Sequence, residues 1–191
     1  MSTLFVCTGN ACRSPMAVAL LRHHLAARGV EEEVSSAGLV TGDRAATDEA
    51  VAVLAARDVT VGGHHSRRLT PAIVGDADLI VGMAREHARA VFGVDDAALA
   101  RTVTVKELVR RAAVSGIREP GEPLTDWVTR LTADRDPADM LGSSPDDDID
   151  DPLGRPRRVY ESLADELDHL TGRMVHLAWP APFYGELIPA S

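Results

Sequence analysis

Near the start of the chain, five residues with chemical potential fall within eight positions: Cys7, Asn10, Cys12, Arg13 and Ser14, inside the stretch "TLFVCTGNACRSP". A loop that turns tightly between a strand and a helix points successive amide N–H groups inward and makes a nest for an anion. A helix opening at Pro15 adds the positive end of its dipole. Arg13 contributes a planar fork that suits two phosphate oxygens. Gly9 relieves the backbone and Asn10 suits a left-handed conformation. The same field stabilises a thiolate on Cys7, and Ser14 can donate a hydrogen bond to it. Thr8, Gly9, Asn10, Ala11, Cys12, Arg13 and Ser14 then form a phosphate-binding set with Cys7 at its base. Such a nucleophile attacks phosphorus and forms a cysteinyl phosphate. A lone cysteine at a strand end is more often a small buried hydrophobe, but the whole constellation favours chemistry. The G-x-x-x-x-G-K spacing of a nucleotide loop is absent.

The elements that must position this loop follow from patterning. Leu4 to Val6 is a short apolar run ending at Cys7. A helix behind Pro15, with Ser14 near its cap, carries Met16, Val18, Leu20, Leu21 and Leu25 and stops at Gly29. Val34 and Ser35 read as a second strand, and "SSAGLVTGD" reads as the loop that closes it. Further helices are predicted over 47–57, from about Thr70 and Pro71, over 84–92, over 106–114 and over 157–171. Further strands are predicted at "DLIVGM", Asp78 to Met83, and "RTVTV", Arg101 to Val105. Trp127 and Leu131 mark a short helical stretch within an insertion over 115–147. A long acidic loop follows, then the last helix and a tail over 173–191.

Strands alternating with helices predict an α/β fold, a doubly wound four-stranded parallel sheet with helices on both faces. Ligands bind beyond the carboxyl ends of such strands, and the first such end is Cys7. The chain has 191 residues, 45% of them hydrophobic, which is enough for one globular domain over 1–191. Its formal net charge is -9, which disfavours nucleic acid and anionic membranes as partners. Lys106 is the only lysine. Two cysteines so close together are no secreted disulfide scaffold. No apolar run reaches membrane-spanning length. The expectation is a cytoplasmic protein without a cofactor or metal.

The segment "VCTGNACRSP" resembles the active-site signature of the low-molecular-weight protein tyrosine phosphatases, C-x5-R-S in its "C-x-G-N-x-C-R-S-P" form. The resemblance extends through "SAG" (Ser36 to Gly38), "HHSRRLT" (His64 to Thr70), "DLIVGM" and "DIDDP" (Asp148 to Pro152). It implies Cys7 as nucleophile and Arg13 as the arginine that binds phosphate and the transition state. It implies Asn10, Ser14, Ser36 and His65 as a supporting hydrogen-bond network, and Cys12 as a redox partner able to protect Cys7 through a reversible disulfide. Asp151, directly before Pro152, matches the general acid. Chemistry asks for that group independently, because a departing oxyanion needs a proton and the same base later activates water. Asp146, Asp147, Asp148 and Asp150 compete for the part. The proline after Asp151 restricts its backbone, so Asp151 stands first and Asp150 second.

The resemblance is incomplete at the mouth of the pocket. Family members carry aromatics after the D-P and after the "SAG"; here Leu153 and Gly154 follow Pro152, and "LVTGDR" follows Gly38. Trp127, Phe183 and Tyr184 are the remaining candidates for an aromatic wall. Ala84 stands where several members have an acidic residue. The implied function is hydrolysis of phosphomonoesters, protein phosphotyrosine first, with small phosphoesters also open. Two alternatives stand beside it. One is arsenate reduction with an external low-molecular-weight thiol. The other is a weakly active phosphate-binding interaction module.

Overall fold

A computed structural model describes residues 1–40 and 42–180. Four strands form its sheet: β1 (Ser2–Cys7), β2 (Glu33–Gly38), β3 (Leu79–Gly82) and β4 (Thr102–Thr104). They are all parallel and run in the order β2-β1-β3-β4, so β1 lies inside and ends at the crevice. Side chains alternate across the sheet. Leu4, Val6 and Ile80 face one layer; Phe5, Cys7, Leu79 and Val81 face the other.

Seven helices cover the two faces: α1 (Arg13–Ala27), α2 (Asp48–Ala55), α3 (Pro71–Gly75), α4 (Arg85–Val94), α5 (Val105–Ser115), α6 (Leu124–Leu131) and α7 (Arg157–Ala178). Helices α3 and α4 place Val74 and Val91 on the Leu4 side. The other five pack on the Phe5 side, with Met16, Val53, Leu108, Trp127 and Leu167 in one cluster. The expected doubly wound α/β sheet is therefore the observed one.

Four local expectations are corrected. Ser36, Ala37 and Gly38 are strand, not loop, because they pair with Phe5, Val6 and Cys7. Helix α1 starts at Arg13 with Cys12 at its cap, and no side chain caps it. Ser14 is turned elsewhere, and the first amides of α1 stay open to an anion. Helix α7 runs on to Ala178, so residues 173–178 are helix and not tail; Met174, Val175, Leu177 and Ala178 continue its buried face. The segment 115–147, expected as an insertion, packs into the core through α6. Leu124, Trp127, Val128 and Leu131 of α6 are all buried, and truncating an aromatic side chain in a closed core costs about 3–5 kcal/mol. Trp127 is thus a core residue and walls no pocket. Phe183 and Tyr184 lie outside the described residues.

Candidate active site

Cys7 closes β1 and α1 begins six residues later, so the connecting loop curls over the end of the strand. Asn10 makes the curl possible. Its φ of 49 is left-handed, a region asparagine tolerates better than most residues. Gly9 does not take that conformation, so Asn10 rather than Gly9 carries the turn. All four polar groups of Asn10 are engaged. Its backbone N–H donates to Cys7 Sγ at 3.2 Å. Its side-chain amide donates to Ser14 Oγ at 2.9 Å and to Ser36 Oγ at 2.8 Å. Its Oδ1 accepts from Arg67 N at 3.0 Å, and its carbonyl accepts from His64 Nε2 at 2.7 Å.

Ser14 Oγ accepts from Asn10, which leaves its proton for Cys7 Sγ, 3.0 Å away. The sulfur thus faces two donors, the Ser14 hydroxyl and the Asn10 amide. Gly38 closes the loop from behind. A Cβ there would lie 2.9 Å from Asn10 Cβ and 2.9 Å from Thr8 O, so only glycine permits the approach.

Of the two adjacent histidines, the structure places His64 behind the loop. His65 is exposed and pairs with Asp43 at 2.9 Å. The supporting position implied for His65 is filled by its neighbour, because successive residues of an extended segment point to opposite sides. Burial pushes the His64 imidazole below its ordinary value, consistent with a neutral ring that donates to Asn10. Arg67, not singled out in the sequence, joins the same network by donating Nε–H to the Ser36 carbonyl at 2.9 Å.

Arg13 is 5% exposed and its guanidinium is held on three sides. Nη1 donates to Ile149 O at 3.1 Å; Nη2 donates to Asp151 Oδ2 at 2.6 Å and to Thr8 Oγ1 at 3.3 Å. The pair joins residues 138 positions apart and brings the two residues expected as acid and phosphate arginine together. The Asp151 side chain is 45% exposed. Its other oxygen accepts from Leu153 N at 3.0 Å.

The other acidic residues of that loop divide by role. Asp147 is buried between Arg85 and Arg110, each at 2.7 Å. Burial alone would raise its carboxyl, but hydrogen bonds and charge from Arg110 and Arg85 hold it below the usual value. Asp148 accepts from Arg85 N at 2.8 Å and so caps α4 from a distant loop, where Ala84 supplies no side-chain cap. Ile149 N donates to Met83 O at 2.7 Å, tying the loop to the end of β3. Asp146 and Asp150 are exposed. No sequence signal pointed to these clasps, since their arginines lie on other elements.

Cys12 meets side chains of two other elements. Its sulfur lies 3.4 Å from Thr47 Oγ1 and 3.8 Å from the Tyr160 hydroxyl. Burial raises the Cys12 thiol above its ordinary value, so the neutral thiol is favoured there. Burial and the neighbouring Cys12 push Tyr160 up to about 12. Both cysteines are free.

A buried thiol that meets an amide and a hydroxyl, and a buried arginine that meets a carboxylate from a distant loop, thus stand together at the end of the first strand of a doubly wound sheet, the arrangement of a phosphatase. The family described as "Low molecular weight phosphotyrosine protein phosphatase" matches residues 2–125. The chain belongs to that family and is a hydrolase of its type. It is 31% identical over 172 residues to a protein of Geobacillus stearothermophilus named "Protein-arginine-phosphatase", covering 90% of this chain and 91% of the relative. It is 42% identical over 87 residues to the "Low molecular weight protein-tyrosine-phosphatase Etp" of Escherichia coli (strain K12), covering 45% of this chain and 56% of the relative. A crystal structure of a low molecular weight protein tyrosine phosphatase from T. tengcongensis superposes with a TM-score of 0.70 at 29% identity, covering 92% of this chain and 98% of the other. No helix among the described residues is long and apolar enough to cross a membrane.

Proposed function

We propose that the chain removes phosphate from protein side chains through a cysteinyl-phosphate intermediate, and that it acts in the cytoplasm. The carrying observation is the 2.6 Å contact between Arg13 and Asp151, which joins acid and phosphate arginine over the Cys7 loop. In the first half-reaction Cys7 Sγ bonds to phosphorus as the bond to the leaving atom breaks. Asp151 gives its proton to that leaving atom. Arg13 and the amides of Thr8 to Ser14 hold the phosphoryl oxygens. In the second half-reaction a water oxygen bonds to phosphorus, the S–P bond breaks, and Asp151 takes the water's proton. Asn10, Ser14, Ser36 and His64 hold the loop. Cys12 guards Cys7 as a disulfide partner only after leaving Thr47 and Tyr160.

For the substrate, phosphoarginine in a protein comes first. Leu39 and Val40 are bonded through their amides to the carbonyls of Cys7 and Thr8, Leu153 and Gly154 follow Pro152 in the Asp151 loop, and none of the four is aromatic. Asp151 already takes a guanidinium as its partner. The relative that spans nearly the whole chain is named an arginine phosphatase. Phosphotyrosine is the second reading, favoured by the family match and by relatives such as the Etp protein.

Initial rates on para-nitrophenyl phosphate, a phosphoarginine peptide and a phosphotyrosine peptide test both levels. Wild type turns over, and Cys7→Ser loses about a thousandfold or more, since the nucleophile is gone. Retained turnover in Cys7→Ser would end the mechanism. Preference for the phosphotyrosine peptide would end the arginine assignment and leave the chemistry standing.

A further inference from the structure

His87 is the one histidine in the core, with no exposed surface, and it belongs to none of the motifs that carry the chemistry. It sits in the first turn of α4, and its Nε2 lies 3.0 Å from Thr8 Oγ1. Thr8 follows the nucleophile directly, and its hydroxyl is also 3.3 Å from Arg13 Nη2. The backbone carbonyl of Thr8 is taken by Leu39 N and Val40 N.

A hydroxyl has one proton and two lone pairs. Arg13 is only a donor, so one lone pair of Thr8 Oγ1 receives Nη2–H. Two arrangements remain for the other contact. If the imidazole carries its proton on Nδ1, Thr8 donates to Nε2. That leaves the Nδ1–H donor buried with no partner, because Nδ1 touches no polar atom. It also turns the Nε2 lone pair toward Glu86 Oε1, 3.4 Å away. If the proton is on Nε2, the ring donates to Thr8, Glu86 lies on the side of a donor, and only an acceptor nitrogen is left unused. An orphaned buried N–H is the rarer and costlier outcome. Burial, then the positive charge of Arg13, pushes His87 down to about 3, so the ring is neutral at working pH and the two tautomers exhaust the choices.

We infer that His87 donates to Thr8, that both lone pairs of the Thr8 hydroxyl are thereby filled, and that its proton points into the pocket as a further donor to the substrate's phosphoryl group. Among the described residues Thr8 Oγ1 has no other partner, and Thr8 is partly open to solvent. The proton then has one place to go when a phosphate arrives. Thr8 becomes a catalytic residue through its side chain as well as its amide. His87 becomes a positioning residue that acts through Thr8. Arg13 and the Thr8 hydroxyl share one orientation, set from beneath by the imidazole. This rests on the phosphatase reading above and adds to it a side-chain donor beside the ring of amides.

The experiment measures orthovanadate affinity by direct titration, beside kcat and KM on para-nitrophenyl phosphate, with thermal melting as the folding control. Thr8→Val keeps the shape and removes the hydroxyl. It should weaken vanadate and lower kcat/KM by about 100-fold, the lower end of the scale for one lost oxyanion donor. Thr8→Ser should recover most of that loss. His87→Phe should lose several-fold. His87→Gln, which can place an amide N–H where Nε2 sits, should lose less. In the Thr8→Val background, His87→Phe should change vanadate affinity little further, because the two act through one hydroxyl. A folded Thr8→Val protein with wild-type vanadate affinity and wild-type kcat/KM would overturn the inference. Additive losses in the double variant would remove His87 from it. If wild type binds vanadate but turns nothing over, the phosphatase reading fails alone, and the vanadate series still decides the role of Thr8.

Discussion

The loop that carries Cys7 and the loop that carries Asp151 meet at Arg13, yet they are held in different ways. From Cys7 to Ser14 the contacts that shape the nucleophile are local. Asn10, Ser14 and Cys7 bond to one another within seven positions, and longer reaches to Ser36, His64 and Arg67 only buttress them. From Ser144 to Asp151 the order is reversed. Asp147 is clasped by arginines of α4 and α5, Asp148 caps α4, Lys106 Nζ donates to Asp148 O at 2.8 Å, and Ile149 hangs from Met83. The first loop is a closed network with every polar atom of Asn10 engaged, and such networks fail as a unit. The second is a set of separate clasps, which can be loosened one at a time.

Three variants press on that contrast. Asp151→Asn has the largest expected effect on turnover. It should lower kcat by about 100- to 1000-fold, the usual scale for a lost general acid. Vanadate binding should be kept or tightened, because Asp151 no longer competes for the Arg13 guanidinium. Wild-type kcat would move the acid elsewhere in the loop, with Asp150 the next candidate. Asn10→Ala should come second. It strands Ser14, Ser36 and Arg67 N and forces a left-handed alanine, so melting should report a loss of about 3 kcal/mol. Vanadate affinity and kcat should fall together. A variant that kept vanadate affinity would show the loop to be a sum of independent contacts after all.

Asp147→Asn should have the smallest effect. It loosens one clasp, with a loss of about 2 kcal/mol or less in stability because Arg110 is half-exposed. A few-fold lower kcat should accompany unchanged vanadate affinity. The same carboxylate carries a pH signature. Its folded value is lowered, so its contribution is present above the unfolded value near ~4 and is lost as pH falls through the folded one. Acid denaturation curves of wild type and Asp147→Asn should therefore converge at low pH. Parallel curves throughout would show that the Asp147 charge contributes nothing.

The legibility of the site follows the same division. Cys7, Asn10, Arg13 and Ser14 could be read from eight positions of sequence, because their contacts are set by a turn of that length. Ser36 and Gly38 were visible as a motif, and the close approach at Gly38 explains why no side chain fits there. The resemblance points to His65 whereas His64 faces inward, because nothing in two adjacent histidines says which one does. Asp151 could be ranked first from its proline, but its distance from Arg13 could not be known. Arg85, Arg110 and His87 gave no signal, since each acts on a residue of another element. In the fold, the elements and their order were legible from apolar runs and caps such as Thr47 and Thr70. The length of α7 and the burial of α6 were not, because weak periodicity is settled by what packs against it.

The sequence alone determined a parallel α/β sheet, a thiol at the end of its first strand, and an anion nest above it. These depend on backbone stereochemistry and on side chains that are near neighbours in the chain. Only the tertiary structure decided which histidine supports the loop, which aspartate reaches the guanidinium, and how a buried imidazole bears on the hydroxyl of Thr8. Those choices join segments tens of residues apart, and they are made by packing, where burial and unmatched hydrogen-bond donors carry the energy.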